Sequence, residues 1–261
     1  MSLESLMPRP ILVMDFDGVI CDSTEECVVT AWNAWTVRSG HPGHVRTPAE
    51  VPEPFRSTLR QYRSYVRTAG EYLILLEVAR TSRRIDSQAD YERLFEEFKS
   101  ELSDFARLFF SARDQLRTED EDHWLDLHLV YEGIPTNLRT LSEAFDFYVV
   151  TGKDARSVQT FFDRFGLRVS PSHVYDKDVA HDKLSAICMI AASAGQPLSS
   201  AYFLDDNVYH LLPAHRAGCH AYMASWGYHT PEQLQFAHQE SIPVLELSNW
   251  AEALMKSGVQ A

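Results

Sequence analysis

Six short apolar runs punctuate the chain: ILVMDF (11–16), FDFYVVT (145–151), HVYD (173–176), AYFLD (201–205), CHAYMA (219–224) and IPVLEL (242–247). The first is bounded by Pro10 and Gly18, and its unbroken hydrophobicity predicts a strand buried on both faces. The next four read the same way, and the last predicts a strand at a sheet edge. Between them the polar and apolar positions take a helical period over 154–165, 181–194 and 207–217. Gly166, Gly195 and Gly218 stand where each helix needs a left-handed residue to finish. Strands alternating with helices of this length predict parallel βαβ units and a doubly wound α/β sheet.

The alternation is interrupted once, over about residues 22–133, where the pattern is helical throughout. Ser23 and Glu26 have the spacing of a capping box and predict a helix ending near Gly40. A Pro-rich loop (41–54) follows. Phe55, Leu59, Tyr62 and Val66 then line one face of a second predicted helix, and Tyr91, Leu94, Phe98, Leu102, Phe105 and Phe109 line another. The acidic run Glu119–Asp122 precedes a last helix reaching Tyr131. Trp32 and Trp35 are expected to be packing residues of the first helix. Arg56, Arg60, Arg63 and Arg67 fall within roughly 60° of arc if 55–67 is one helix, which would make a basic stripe beside its apolar face. Such a stripe suits phosphate or carboxylate recognition, or it is a solvated face paired with acids such as Glu71 or Glu77.

Composition narrows the partners. With 24 basic and 37 acidic side chains the formal net charge is −13, which disfavours binding along a nucleic-acid backbone and leaves room for a small anionic ligand at a local patch. No apolar run is long enough to span a bilayer, and the start, MSLESLMPRP, is interrupted by Glu4, Pro8 and Pro10 where a signal peptide needs an apolar stretch. Cys21, Cys27, Cys188 and Cys219 lack metal-site spacing and are expected to be buried thiols in a reducing, cytoplasmic setting. His41 and His44 flank Pro42-Gly43 and are expected at the surface.

The chemistry gathers at the predicted strand ends, the edge at which parallel α/β sheets bind ligands. The first strand ends in Asp15-Phe16-Asp17-Gly18, and a later one ends in Leu204-Asp205-Asp206. Carboxylates crowded at one edge raise each other's pKa unless a cation lies between them, so the two pairs together suit a hard divalent ion such as magnesium. A third strand end, Thr151-Gly152-Lys153, brings a hydroxyl and backbone N–H groups. Lys183 opens the helix before the Asp205 strand, and Lys177 is a nearby alternative for its place.

These segments resemble the four motifs of the haloacid dehalogenase-like superfamily. DFDGVICDS is similar to its first motif, Thr151 to the second, Lys183 to the third and Asp205-Asp206 to the fourth, in order over about residues 10–225. The resemblance implies a Rossmannoid core of residues 1–21 and 134–261 with an all-helical cap domain at 22–133. It implies that Asp15 is the nucleophile and Asp17 the general acid and base. Thr151, Gly152 and Lys183 would hold the phosphoryl group. Arg60 and Arg63, at the middle of the arginine stripe, are the expected cap contacts to substrate. Mg2+ would be bound by Asp15, the main-chain carbonyl of Asp17, Asp205 and Asp206. The chain departs from the family pattern where His210 occupies a place often held by an acid, and where no proline follows Lys183. The implied activity is hydrolysis of a small phosphorylated metabolite, a phosphomonoester. A phosphomutase, or a non-catalytic phospholigand-binding module of the same fold, are the alternatives. A phosphonate-cleaving Schiff base would need a cap lysine, and Lys99 is the lysine between 22 and 133.

Overall fold

The structure, a computed structural model, describes residues 8–41, 43–180 and 182–258. The first seven residues, on which the signal-peptide expectation partly rests, lie outside this range, as do Pro42 and His181. Along the chain come β1 (Ile11–Met14), β2 (Cys21–Asp22), α1 (Thr24–Arg38), α2 (Phe55–Gln61), α3 (Tyr72–Thr81), α4 (Gln88–Glu119), α5 (Glu121–Asp126) and β3 (Leu129–Val130). Then follow α6 (Ile134–Ala144), β4 (Asp146–Val150), α7 (Ala155–Arg164), β5 (Val174–Tyr175), α8 (Lys183–Ser193) and β6 (Ala201–Asp205). The last are α9 (Val208–Arg216), β7 (His220–Ala224), α10 (Pro231–Gln239), β8 (Val244–Leu245) and α11 (Trp250–Gly258).

The chain divides into two compact units, one made of the segment up to Cys21 together with Val130 onward, the other of Asp22–Leu129. The first is an α/β unit with a six-stranded sheet in the order β5-β4-β1-β6-β7-β8, every pairing parallel. Helices cover such a sheet on both faces, which is why its central strands are continuous apolar runs. All four residues of β1 and all five of β6 are buried. The chain leaves β1 toward β4 and β5 and later returns to β6 on its other side, so β1 sits at the topological switch point. Register places Met14 opposite both Val149 and Leu204. The next residues, Asp15, Val150 and Asp205, therefore reach the sheet's carboxyl edge at one level.

The second unit is helical and departs from the sequence reading in two places. Ser23 precedes α1, but its side chain makes no capping bond. Glu26, expected to close the capping box, is fully buried and paired with Arg113, whose Nε and Nη2 donate to it at 2.8 and 2.9 Å. Thr30 donates a further bond at 2.8 Å. A buried carboxylate needs a cation more than a helix start needs a cap, and tertiary pairing wins. The second difference is that α2 stops at Gln61. Residues 63–65 form a 3-10 turn and Val66 is extended. Arg56, Arg60, Arg63 and Arg67 thus do not share one helix, and the expected continuous stripe is not formed. Trp32 and Trp35 stack on each other with centroids 5.3 Å apart and pack on Phe55.

Candidate active site

Each candidate site residue at the sheet's carboxyl edge is delivered by a strand end or the first turn of a helix. Asp15 follows β1, and its N–H donates to the Leu204 carbonyl at 3.0 Å. The chain then turns sharply: the Ile20 N–H bonds back to the Phe16 carbonyl at 2.9 Å, and Gly18 adopts φ 85°. Thr151 follows β4 and is buried. Its hydroxyl accepts the Lys153 N–H at 3.1 Å, which folds the Thr151-Gly152-Lys153 turn back over the strand end. Asp205 closes β6. Asp182 caps α8 by accepting the Ser185 N–H, fixing the direction in which Lys183 leaves the first turn.

Lys183 lies at the centre. Its ammonium is 2.5 Å from an Asp15 oxygen and 2.8 Å from an Asp205 oxygen, with both acids buried. Lys177, the alternative lysine, pairs with Asp178. The two carboxylates shift in opposite directions because their surroundings differ. Burial pushes Asp15 above the usual carboxylate range, with Lys183 pulling it down and Asp205 pushing it up. Burial opposes ionisation of Asp205 too, but the charge of Lys183 and then His210 outweighs it and holds Asp205 well below that range. Burial disfavours the charged form of Lys183, and Asp15 and Asp205 overcome this and raise it.

Three side chains, Asp15, Asp205 and His210, offer ligand atoms all within 4.8 Å of one another. His210 Nδ1 is 3.2 Å from Asp205, and an Asn207 N–H donates to the other Asp205 oxygen at 2.8 Å. Asp206, expected as a metal ligand, is outside this trio. Its Oδ2 accepts the Tyr228 N–H at 2.6 Å, and the carboxylate lies against Gly18 and Gly227. A Cβ built on Gly18 would come 1.9 Å from that oxygen, and one on Gly227 would come 2.3 Å from the Gly18 carbonyl. Asp206 lies just past the end of β6, where its contacts with the loop after β7 set its direction. Asp206 therefore ties the loop after β1 to the loop after β7.

Two residues escaped the sequence reading as site members. Lys153 is buried, with its ammonium 3.2 Å from Asp17 and over the Phe16 ring. The three-residue turn after β4 was visible, but nothing in it predicted that the lysine would point inward. His210 stands in the sequence only as a departure from the family pattern. The expected cap contacts lie in the helical unit. Arg60 makes a two-pronged pair with Glu25 at 2.6–2.7 Å. Arg63 donates to the Val66 carbonyl and sits over the Tyr72 ring. Lys99 pairs with Glu96 on the exposed side of α4.

A profile of haloacid dehalogenase-like hydrolases matches residues 10–218, four-fifths of the chain, including every candidate residue from Asp15 to His210. The protein belongs to the haloacid dehalogenase-like hydrolase family. Among solved structures, this family member is similar to a predicted phosphatase from Clostridium acetobutylicum, at TM-score 0.63 and 15% identity over 96% of this chain and 100% of that one. It is likewise similar to a predicted phosphoglycolate phosphatase from Haemophilus somnus, at TM-score 0.63 and 12% identity over 95% and 99% of the two chains. A haloacid dehalogenase-like family protein from Streptococcus pneumoniae aligns at TM-score 0.59 and 14% identity, covering 95% and 98%. At these identities the likeness is one of fold. No curated protein matches the sequence. Among the described residues no helix is long and apolar enough to cross a membrane.

Proposed function

We propose that this haloacid dehalogenase-like hydrolase is a phosphatase that hydrolyses a small phosphomonoester through an aspartyl-phosphate on Asp15. The observation that carries the reading is the buried Asp15–Lys183–Asp205 chain at the level ends of the adjacent strands β1 and β6. An Asp15 oxygen would attack phosphorus as the bond to the leaving oxygen breaks, and Asp17 would give that oxygen its proton. Water would then attack the phosphorus of the aspartyl-phosphate and pass its proton to Asp17, releasing phosphate and restoring the Asp15 carboxylate. Thr151 with the Gly152 N–H, and Lys183, are the groups placed to hold the phosphoryl oxygens as charge moves among them.

The donor set fits a divalent cation of the magnesium class. Two buried carboxylates share only one ammonium, and oxygen ligands suit a hard ion better than the His210 nitrogen does. Asp15, the Asp17 main-chain carbonyl and Asp205 would hold it, with Asp206 bracing the loop that presents that carbonyl. When bound, the ion supplies charge neutralisation between the anionic nucleophile and the anionic substrate. The helical unit is the natural candidate for a cap that excludes water, and Arg60 and Arg63 are its candidate substrate contacts.

The test is turnover of p-nitrophenyl phosphate with Mg2+ by the protein and by Asp15→Asn, which keeps the shape and removes the attacking charge. Activity of the variant should fall to near background. Retention of more than about a tenth of kcat would show that Asp15 is not the nucleophile.

A further inference from the structure

We propose that a cavity between α6, β4 and the segment following α7 is a binding site for a small organic anion with an apolar body. The cavity has a volume of about 280 Å³ and is lined by Leu138, Arg139, Ser142, Phe147, Leu167, Arg168 and their neighbours. That size lies just below the ~300–1,000 Å³ typical of small-molecule pockets. It suits one ring or a short chain, and a nucleotide would overfill it.

The lining divides by chemistry. Leu138, Leu167 and Val169 are buried and, with Phe147, make an apolar wall. Arg139 and Arg168 are exposed at the rim. The Ser142 hydroxyl is already donated to the Arg139 carbonyl at 2.7 Å, and the Ser142 carbonyl accepts from Arg9 at 3.0 Å. Recognition of a polar head therefore falls to the two guanidiniums, whose planar forks match a carboxylate or a phosphate.

The pairing of every other arginine makes these two stand out. With 37 acids against 24 bases, acidic partners are plentiful. Arg9 pairs with Asp146, beside the cavity, and Arg216 pairs with Glu240. The arginines of the helical unit are engaged by Glu25, Glu26, Glu53, Glu71, Glu92, Glu97 and other groups of that unit, and Arg156 and Arg164 also have partners. Among the described arginines only the side chains of Arg139 and Arg168 have no ion-pair, hydrogen-bond, ring or electrostatic partner. Glu143, one turn along α6 from Arg139, does not pair with it. Two unneutralised cations at the mouth of one apolar cavity, on a strongly acidic protein, are a complement to an anion with a hydrocarbon body.

The site is distinct from the catalytic edge. Phe147 pairs with Leu12 near the amino end of the sheet. Thr151 lies four residues further along the same strand direction, about 13 Å away at ~3.3 Å per residue. The proposal therefore does not depend on the reaction assigned to Asp15.

The experiment is isothermal titration of the full-length protein, in chelator, with phenylacetate and with phenylphosphonate. The expected result is saturable binding of at least one of them, and the tighter head group names the ligand class. Binding should weaken by about tenfold or more for each arginine removed in Arg139→Ala, Arg168→Ala and the double variant, as a lost charge-assisted bond predicts. Acetate should bind at least tenfold more weakly than phenylacetate. Turnover of p-nitrophenyl phosphate by the double variant should stay at the wild-type level, which also certifies its fold, and Arg168→Glu supplies a second variant on a loop. Absence of saturable binding of either probe overturns the proposal. So does binding undiminished in the double variant, which would put phenylphosphonate in the catalytic site, and so does equal binding of acetate and phenylacetate.

Discussion

At the scale of single residues, a side chain's neighbours decide its chemistry more than its type does. Cys219 is buried, and that burial pushes its thiol up to about 12, whereas Cys188 is exposed, contrary to the expectation that all four thiols are buried. At pH 8 a thiol with that acidity is thiolate in only about one molecule in ten thousand. A thiol-specific reagent such as dithionitrobenzoate should therefore modify Cys188 rapidly and leave Cys21, Cys27 and Cys219 untouched until denaturant is added. Gly227 is constrained in the opposite sense, by crowding. A Cβ there would meet the Gly18 carbonyl at 2.3 Å and Asp206 Cβ at 2.4 Å, both rigidly held. Gly227→Ala should displace the loop that carries Asp17 and lower p-nitrophenyl phosphate turnover at least about tenfold, while secondary structure by circular dichroism is retained. Tyr91 offers a pH test. Burial first, and then the charge of Glu71, raises its phenol well above 10, and its O–H donates to Glu71 at 2.5 Å. A raised folded pKa means a contribution fully present below about pH 10 and lost as pH climbs through the folded value. Melting temperature should consequently fall more steeply above about pH 10 in the wild type than in Tyr91→Phe, and parallel curves would refute this.

At the scale of elements, local pattern and tertiary demand agree in the strands and disagree in the helical unit. The six apolar runs became the six strands of the large sheet: the central β1 and β6 are wholly buried, and β4, β5, β7 and β8 are buried in part. In α1 the capping-box pattern was present but Glu26 was needed elsewhere. Its pair with Arg113 joins α1 to α4 inside the helical core. Removing one partner of a buried pair strands the other charge, at a cost of about 3–5 kcal/mol. Arg113→Ala should lower the urea midpoint accordingly, whereas Arg60→Ala removes a pair exposed by about two-fifths on each side and should cost no more than about 1 kcal/mol. The same variant separates two roles for Arg60. A rise in KM for a natural substrate with unchanged p-nitrophenyl phosphate turnover would make it a substrate contact, and no change in either would leave it as the partner of Glu25. Sequence periodicity misjudged this region because the apolar positions 55, 59, 62 and 66 keep helical spacing through a 3-10 turn, where pattern alone does not register the break.

At the scale of the whole molecule, the chain holds an α/β unit that carries the candidate residues Asp15, Thr151, Lys183 and Asp205, and a helical unit inserted after its first strand. Chelation should abolish turnover reversibly, with activity restored by Mg2+ and circular dichroism unchanged; full activity in chelator would remove the cation from the proposed mechanism. By itself the sequence determined the strand order along the chain, the insertion and the identity of Asp15, Thr151, Lys183 and Asp205 as edge residues. Burial on both faces imposes an apolar run, and the chemistry sits where such runs end. Only the tertiary structure decided which charged groups meet. The parallel register that levels Met14 with Val149 and Leu204 brought Asp15 and Asp205 together around Lys183, while the loop after β7 engaged Asp206 through the Tyr228 N–H and α9 placed His210 beside Asp205. Such contacts join residues far apart in the chain, and the direction a side chain takes at a strand end is set by the elements packed against it, which no local pattern encodes.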